Sequence, residues 1–232
     1  CVLQTGGSDQ WGNLTSGVDL IHRAEGVSVH AIGTPLITNS DGTKFGKSEG
    51  NAIWLDPEMC SPYAFYQFWL NTDDADVATR LKVFTFLTRA EIEALEQKVA
   101  DEPFRREAQR RLAWEVTALV HGVDAATAAI DASQALFGQG ELSALDAETL
   151  AAALRELPNI SVPAGVTVVQ ALVDTGLCSS LGEARRAVAQ GGVSLDNVKV
   201  TDEAASITGA LPGGVSVLRR GKKTLAGIFI QG

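Results

Sequence analysis

Cysteine is scarce: Cys1, Cys60 and Cys178 stand far apart in a chain of 232 residues. With no paired spacing they exclude a disulfide framework and a cysteine-based zinc site, and they fit a reducing compartment. No apolar run approaches the roughly 20 residues of a membrane span. No charged-then-apolar segment opens the chain, so no secretory signal is expected. Internal repeats and low-complexity tracts are lacking, which counts against solenoid and linker-like architectures. Histidine is thin, with His22, His30 and His121 isolated, and no Ser/His/Asp or Cys/His grouping supports covalent catalysis. The expectation is a cytoplasmic globular protein with no membrane association and no tightly bound metal.

What is present is core-forming: 45% of residues are hydrophobic and 20% charged, enough for a sizeable packed interior. At this length two or three packing units are expected. The net charge of -9 argues against a uniformly basic coat for nucleic acid, but the charge is uneven. Residues 164–232 hold 7 Lys and Arg against 5 Asp and Glu, whereas the rest holds 12 against 23. A polyanion should therefore meet the tail first. The first residue is cysteine rather than methionine, and Val2-Leu3-Gln4 reads as strand interior, so the chain is expected to start within a domain.

Strand, glycine turn and helix succeed one another at the start: Val2–Thr5, a turn at Gly6-Gly7, and Asn13–Arg23 with Leu14, Val18 and Ile21 on one side. Strands are expected at Val29–Ile32 and Pro35–Thr38, followed by a polar, glycine-punctuated loop from Asn39 to Asn51. Ser61-Pro62 is an N-cap and first helical position, and the aromatics from Tyr63 to Trp69 at helical spacing read as core. Thr88 with Glu91 makes a capping box, Phe104–Val120 reads as a helix with Leu112, Val116, Leu119 and Val120 apolar, and His121-Gly122 ends it. Arg105, Arg106, Arg110 and Arg111 read as a solvated face. After helical patches in Asp131–Leu157, Pro158 and the stretch to Gly165 read as a linker. Then come two short helices, the second capped by Ser180 with Glu183 and stopped at Gly191-Gly192. Strands at Val193–Leu195, Val198–Val200, Val215–Leu218 and Leu225–Ile230 follow. The expected domains are 1–58 (α/β), 59–160 (all-α) and 164–232 (small α+β).

Two motifs carry chemistry. Lys44-Phe45-Gly46-Lys47-Ser48 sets two ammonium groups and a hydroxyl on a loop whose glycines, Gly42, Gly46 and Gly50, allow unusual backbone angles. Such cations can offset charge growing on phosphoryl oxygens. Alone, that spacing more often marks an ordinary solvated loop. Gly6-Gly7-Ser8-Asp9-Gln10-Trp11-Gly12-Asn13 lies between a strand and a helix, where ligands of open α/β sheets sit. Asp9 suits ribose hydroxyls, Gln10 offers donors and an acceptor, and Gly7 admits a close backbone approach. On local grounds, helix capping by Asp9 and Asn13 explains the segment equally well.

Taken together and in this order, the two motifs resemble class I aminoacyl-tRNA synthetases, Lys44 to Ser48 matching that class's second signature. With Asp41-Gly42-Thr43, Trp54-Leu55-Asp56, Ser61-Pro62-Tyr63 and Asn71-Thr72-Asp73-Asp74, the chain is similar over nearly its whole length to the bacterial tyrosyl-tRNA synthetase family. The resemblance implies a Rossmann-like catalytic portion, a helical domain and a small RNA-binding domain. It implies that Lys44, Lys47 and Ser48 stabilise the pyrophosphate side of ATP. Gly7 and Asp9 would hold the adenylate ribose, Gln10 would lie near the tyrosine carboxylate, and the Leu36 and Ile37 backbone would face adenine. It further implies ATP with Mg²⁺, L-tyrosine and its tRNA as ligands, and a homodimer.

In the tail, Arg185-Arg186, Arg219-Arg220 and Lys222-Lys223 are the candidate tRNA contacts. Charge count alone slightly favours a merely solvated basic surface; the resemblance reverses that. Leu181 stands where the family's module often carries a basic residue. The His-x-Gly-His first signature of the class is absent, so the isolated chain is expected not to form tyrosyl-adenylate. The alternative is a synthetase-derived RNA-binding module without catalysis. The related tryptophan enzyme ranks low because it would not predict the small tail module.

Overall fold

The computed structural model describes residues 1–40, 42, 43, 45, 53–221 and 224–231. Two compact units are present, Cys1–Ile53 and Trp54–Gly232.

In the first unit, strand β1 (Leu3–Gly7) pairs in parallel with β2 (His30–Thr34), and helix α1 (Trp11–Glu25) connects them. This is a β-α-β crossover, the element that parallel strands require. Leu14 anchors the helix: it is buried and lies over Gly6, where an added Cβ would sit 3.6 Å from its Cδ2. Gly26, in left-handed conformation, ends α1. Two expectations are corrected. Gly6 and Gly7 form no turn but close β1, in register with Gly33 and Thr34. At Gly7 the missing side chain serves close packing rather than chain reversal, whereas a Cβ on Gly6 would find ordinary contact distances of 3.4 Å and more. Pro35–Thr38 is no strand either; beyond a single bridge at Thr38 the segment is irregular, as the lost N–H of Pro35 favours.

The second unit begins with helices α2 (Pro62–Leu70), α3 (Asp74–Phe84), α4 (Arg89–Asp101), α5 (Glu107–His121), α6 (Val123–Leu136) and α7 (Ala147–Arg155). Local chemistry sets their starts. The Ser61 hydroxyl accepts from Ala64 N at 3.1 Å with proline behind it, and both halves of the Thr88–Glu91 capping box are made. The aromatic run of α2 is core as expected. Phe65 meets His121 edge-on at 4.7 Å, and the Trp69 ring lies tilted against Phe84 at 4.9 Å. The helix expected from Phe104 starts later, at Glu107, because Pro103–Arg105 form a 3-10 turn and Arg106 is left-handed at φ 50°. Leu119, expected to face inward, is exposed.

Beyond α7 a mixed sheet runs in the order β3-β7-β6-β4-β5: β3 (Asn159–Pro163), β4 (Val193–Leu195), β5 (Val198–Lys199), β6 (Val215–Arg220) and β7 (Thr224–Gln231). Helices α8 (Val168–Asp174) and α9 (Leu181–Ala189) cover it. Val168, Leu172, Val188, Ile207, Leu218 and Ile228 form their shared core. The supposed linker is thus partly β3, parallel to β7 with Ile160 opposite Ile228. Its edge position accommodates Pro163. The turn at Asp196-Asn197 places both residues at positive φ, 51° and 65°, as a tight hairpin demands.

The sheet rests directly on α7. A Cβ on Gly227 would lie 2.9 Å from both Leu154 Cβ and Leu154 O, so strand and helix approach to a distance only glycine permits. The Arg155 guanidinium lies 5.8 Å above the Phe229 ring.

Candidate functional site

The carboxyl ends of β1 and β2 bring together residues that lie some thirty positions apart in sequence. Gly7 is extended, at φ -65° and ψ 160°, and ends β1; the 3-10 turn Ser8–Gln10 then lifts Asp9 and Gln10 out of the sheet. A Cβ on Gly7 would stand 2.7 Å from Asp9 Oδ1 and 3.0 Å from Leu36 Cδ2. Three predicted site residues, Gly7, Asp9 and Leu36, therefore converge on one bare backbone surface. Thr34 Oγ1 donates to Gly6 O at 3.2 Å and fixes the β2 exit beside that edge. Asp9, Gln10 and Leu36 are exposed, and Ile37 is half-buried. Gln10 Oε1 accepts from Asn13 Nδ2 at 2.8 Å, which orients the amide. The N-cap of α1 is Gln10, which makes no side-chain capping hydrogen bond, so the cap expected of Asp9 and Asn13 falls on a different residue, to whose side chain Asn13 donates.

The segment after Ile37 folds back on itself. Asn39 N donates to Thr43 O at 2.8 Å, Gly42 N to Asn39 O at 2.9 Å, and Phe45 N to Ile37 O at 3.2 Å. Gly42 takes φ 84°, the angle for which glycine was expected. Phe45, inside the lysine motif, is thereby tied to the Leu36–Ile37 stretch. Lys44, Lys47 and Ser48 lie outside the described residues. Among the described residues no group of three or more His, Cys, Asp or Glu side chains could hold a metal ion, and no helix is long and apolar enough to cross a membrane.

The tail separates its cations into two kinds. Arg185 and Arg186 are exposed on α9, and the nearest carboxylate to Arg185 is Glu203 at 3.8 Å. Arg219 and Arg220 are half-buried and held by partners within the protein. Arg219 Nη2 donates to Leu136 O at 2.7 Å and also to Asn197 Oδ1, while Asn197 Nδ2 donates to Ala135 O at 3.1 Å. This arginine latches the sheet to the end of α6. Arg220 Nη2 donates to Glu183 Oε1 at 2.6 Å, and its Nη1 to Leu177 O. The Ser179 hydroxyl, the Ser179 N–H and the Arg220 guanidinium hold the Glu183 carboxyl down to about 2. Consecutive strand residues point to opposite faces, a signal in the sequence that both arginines could not present to one ligand. Lys222 and Lys223 lie outside the described residues.

A second cluster was missed entirely. Arg80 and Asp76 are buried and paired at 3.1 Å, and Arg80 Nη1 donates to Thr72 Oγ1 at 2.9 Å. Arg106, read as part of a solvated face, instead donates to Leu70 O at 2.7 Å and Thr72 O at 3.2 Å. Gln109 Nε2 reaches Asp74 Oδ1 at 2.5 Å. The Asn71–Asp74 motif is thus a polar knot joining α2, α3 and α5. The i, i+4 spacing of Asp76 and Arg80 was its one sequence signal.

Residues 2–138 match the family of class I tRNA synthetases for tryptophan and tyrosine, and residues 149–227 match the SYY-like C-terminal domain of tyrosine–tRNA ligase. A tyrosine–tRNA ligase from Leifsonia xyli subsp. xyli is 71% identical over 233 residues, covering 100% of this chain and 53% of that protein. One from Streptomyces avermitilis is 57% identical over 235 residues, covering 100% of this chain and 56% of its own. The chain spans about half the length of the curated relatives it matches. A C-terminally truncated mitochondrial tyrosyl-tRNA synthetase from Aspergillus nidulans shares 37% identity over 56% of this chain and 37% of that one. The TM-score between the two is 0.48.

Proposed function

The chain belongs to the class I tRNA synthetase family of the tryptophan and tyrosine enzymes, and on that premise we propose that it serves the ATP-dependent ligation of L-tyrosine to its tRNA through tyrosyl-adenylate. Tyrosine is favoured over tryptophan because residues 149–227 match a domain described for tyrosine–tRNA ligase.

The observation that carries the reading is the convergence of Gly7, Asp9 and Leu36 at the carboxyl edge of a parallel pair, where open α/β sheets bind ligands. Gly7 leaves its backbone open to an adenylate, Asp9 accepts from the ribose hydroxyls, and the Leu36–Ile37 backbone borders adenine. Gln10 lies beside the tyrosine carboxylate. Lys44, Lys47 and Ser48 meet the pyrophosphate oxygens, and Mg²⁺ comes with ATP. The tyrosine carboxylate forms a bond to the α-phosphorus while the bond to pyrophosphate breaks; a terminal tRNA hydroxyl then takes the tyrosyl group and AMP leaves. Positioning and charge neutralisation carry both steps, with no covalent enzyme intermediate. The proposed architecture is a Rossmann-like portion (1–58), a helical domain (59–160) and an RNA-binding domain (164–232), in a cytoplasmic homodimer.

Asp9→Ala in the protein bearing this sequence should abolish tyrosine-dependent formation of tyrosyl-tRNA while leaving tRNA binding unchanged. Full activity in that variant would refute the site. tRNA binding with no adenylate chemistry in the unmodified protein would point instead to an RNA-binding module. On the tRNA side, reversing Arg185 and Arg186 to glutamate should raise the dissociation constant for tRNA and flatten its salt dependence by about one power of salt concentration per arginine. An unchanged slope would remove them from the interface.

A further inference from the structure

We propose that Glu183 and Arg220 are positioning residues for tRNA: together they fix the first turn of α9 against β6, so that Arg185 and Arg186 are held in a fixed orientation. This rests on the tRNA-facing role proposed above for those two arginines.

The physical need is plain in the helix. α9 has only 9 residues, and an isolated helix that short is marginal in water. Gly182 in its first turn weakens it further. The Ser180 hydroxyl cap is long, at 3.3 Å to Glu183 N. What holds the turn is one carboxylate used from both sides. Glu183 Oε2 accepts from Ser179 N at 2.7 Å and Ser179 Oγ at 2.6 Å, and Oε1 accepts from Arg220 at 2.6 Å. The other arm of Arg220 binds Leu177 O. A single ion pair thus joins the turn 177–180, the start of α9 and the end of β6. Arg185 and Arg186 follow Glu183 by two and three residues, within the next turn of the same helix.

This arrangement makes Glu183→Gln a test by sign. Removing a carboxylate from a surface that meets a polyanion strengthens binding if only charge matters. If Glu183 positions the helix, binding weakens instead, by about fivefold for a lost interaction of cap strength. The measurement is the affinity of the full 232-residue chain for a transcript of tyrosine tRNA across salt concentrations, with a thermal melt of each variant. Glu183→Gln should raise the dissociation constant and leave the salt slope as in the parent, because no phosphate contact is deleted. Arg220→Gln should behave the same way, whereas Arg185→Ala should lower the slope by about one. Ser179→Ala, which keeps the ion pair and loses one donor, should fall between parent and Glu183→Gln, and it serves if the stronger variants melt early. Equal or tighter binding by both Glu183→Gln and Ser179→Ala would overturn the positioning role. So would a slope lowered by about one in Arg220→Gln, which would make Arg220 a phosphate ligand. If Arg185→Ala and Arg186→Ala also leave affinity and slope untouched, the tRNA-facing reading of the tail falls and this inference with it.

Discussion

Replacing Asp76 by alanine removes one partner of a buried cation. The Arg80 side chain is 10% exposed and that of Asp76 9%, with 3.1 Å between Nη2 and Oδ2. Burial pushes the Arg80 guanidinium below its ordinary range, and the Asp76 carboxylate acts against that push. Breaking a buried pair by deleting one partner costs about 3–5 kcal/mol, because the remaining charge is left uncompensated. Arg80 keeps its bond to Thr72 Oγ1 and the field of Asp73, so the loss should sit near the lower end, about 3 kcal/mol. For a body of this size that corresponds to a midpoint about 6–12 °C lower. Urea unfolding followed by tryptophan fluorescence reads it, with the m-value unchanged if the denatured state is unaffected. The double variant Asp76→Leu with Arg80→Met removes both charges and both desolvation costs, and should recover most of the stability. A loss below about 1 kcal/mol in Asp76→Ala, or a double variant as unstable as the single one, would refute the account of the Asn71–Asp74 motif as a buried polar knot.

Gly227→Ala should cost about 1–3 kcal/mol in chemical unfolding, because the new methyl meets Leu154 Cβ and O at 2.9 Å and one of these is backbone; a neutral outcome would mean the sheet is not seated on α7. Gly7→Ala, whose methyl meets only the tip of Asp9 and a leucine methyl, should leave the melting temperature within a few degrees yet abolish tyrosyl-tRNA formation; retained activity would argue against a nucleotide at that backbone. His121 is driven below its ordinary pKa by burial, so the unfolded chain takes up its proton first. Stability should be constant well above pH ~6.5 and fall as the pH drops through that unfolded value. His121→Gln should flatten this limb in a pH series of unfolding free energies, and an unaltered limb would assign it to other groups.

What could be read from the sequence follows the range of the interaction that decides each feature. The starts of α2 and α4 were legible because Ser61-Pro62 and Thr88–Glu91 act within one turn. β3 was read as linker because its partner lies far along the chain: Asn159 pairs with Gly227, and no local pattern announces a five-residue parallel edge strand ending in proline. Gly6-Gly7 reads as a turn in the sequence because glycine signals either a left-handed angle or a close approach. At Gly7 only the positions of Asp9 and Leu36 decide for the second. The Gly7–Asp9 half of the site was legible as a motif, and its meeting with Leu36 needed the parallel register of β1 and β2.

Charge was the least legible property, for a physical reason. A cation in a sequence carries no mark of whether its donors will meet solvent, a carboxylate or a main-chain carbonyl. The tail's 7 Lys and Arg suggested a broad basic surface, but the fold distributes them otherwise. Arg219 is held by Leu136 O, Arg220 by Glu183 and Leu177 O, and the Lys199 side chain packs over Gly191 at the end of α9, where a cation offsets the helix dipole. Among the described residues of the tail this leaves Lys199, exposed beyond the end of α9, and the α9 pair Arg185 and Arg186 to meet phosphates. Each phosphate neutralised contributes about -0.9 to the logarithmic salt slope, so the arginine pair accounts for no more than about -2 of it. A steeper dependence measured on the chain must then come from Lys199, from Lys222 and Lys223, or from residues before 164. Charge-neutral substitutions at 185 and 186, made separately from those at 222 and 223, would divide the slope between them.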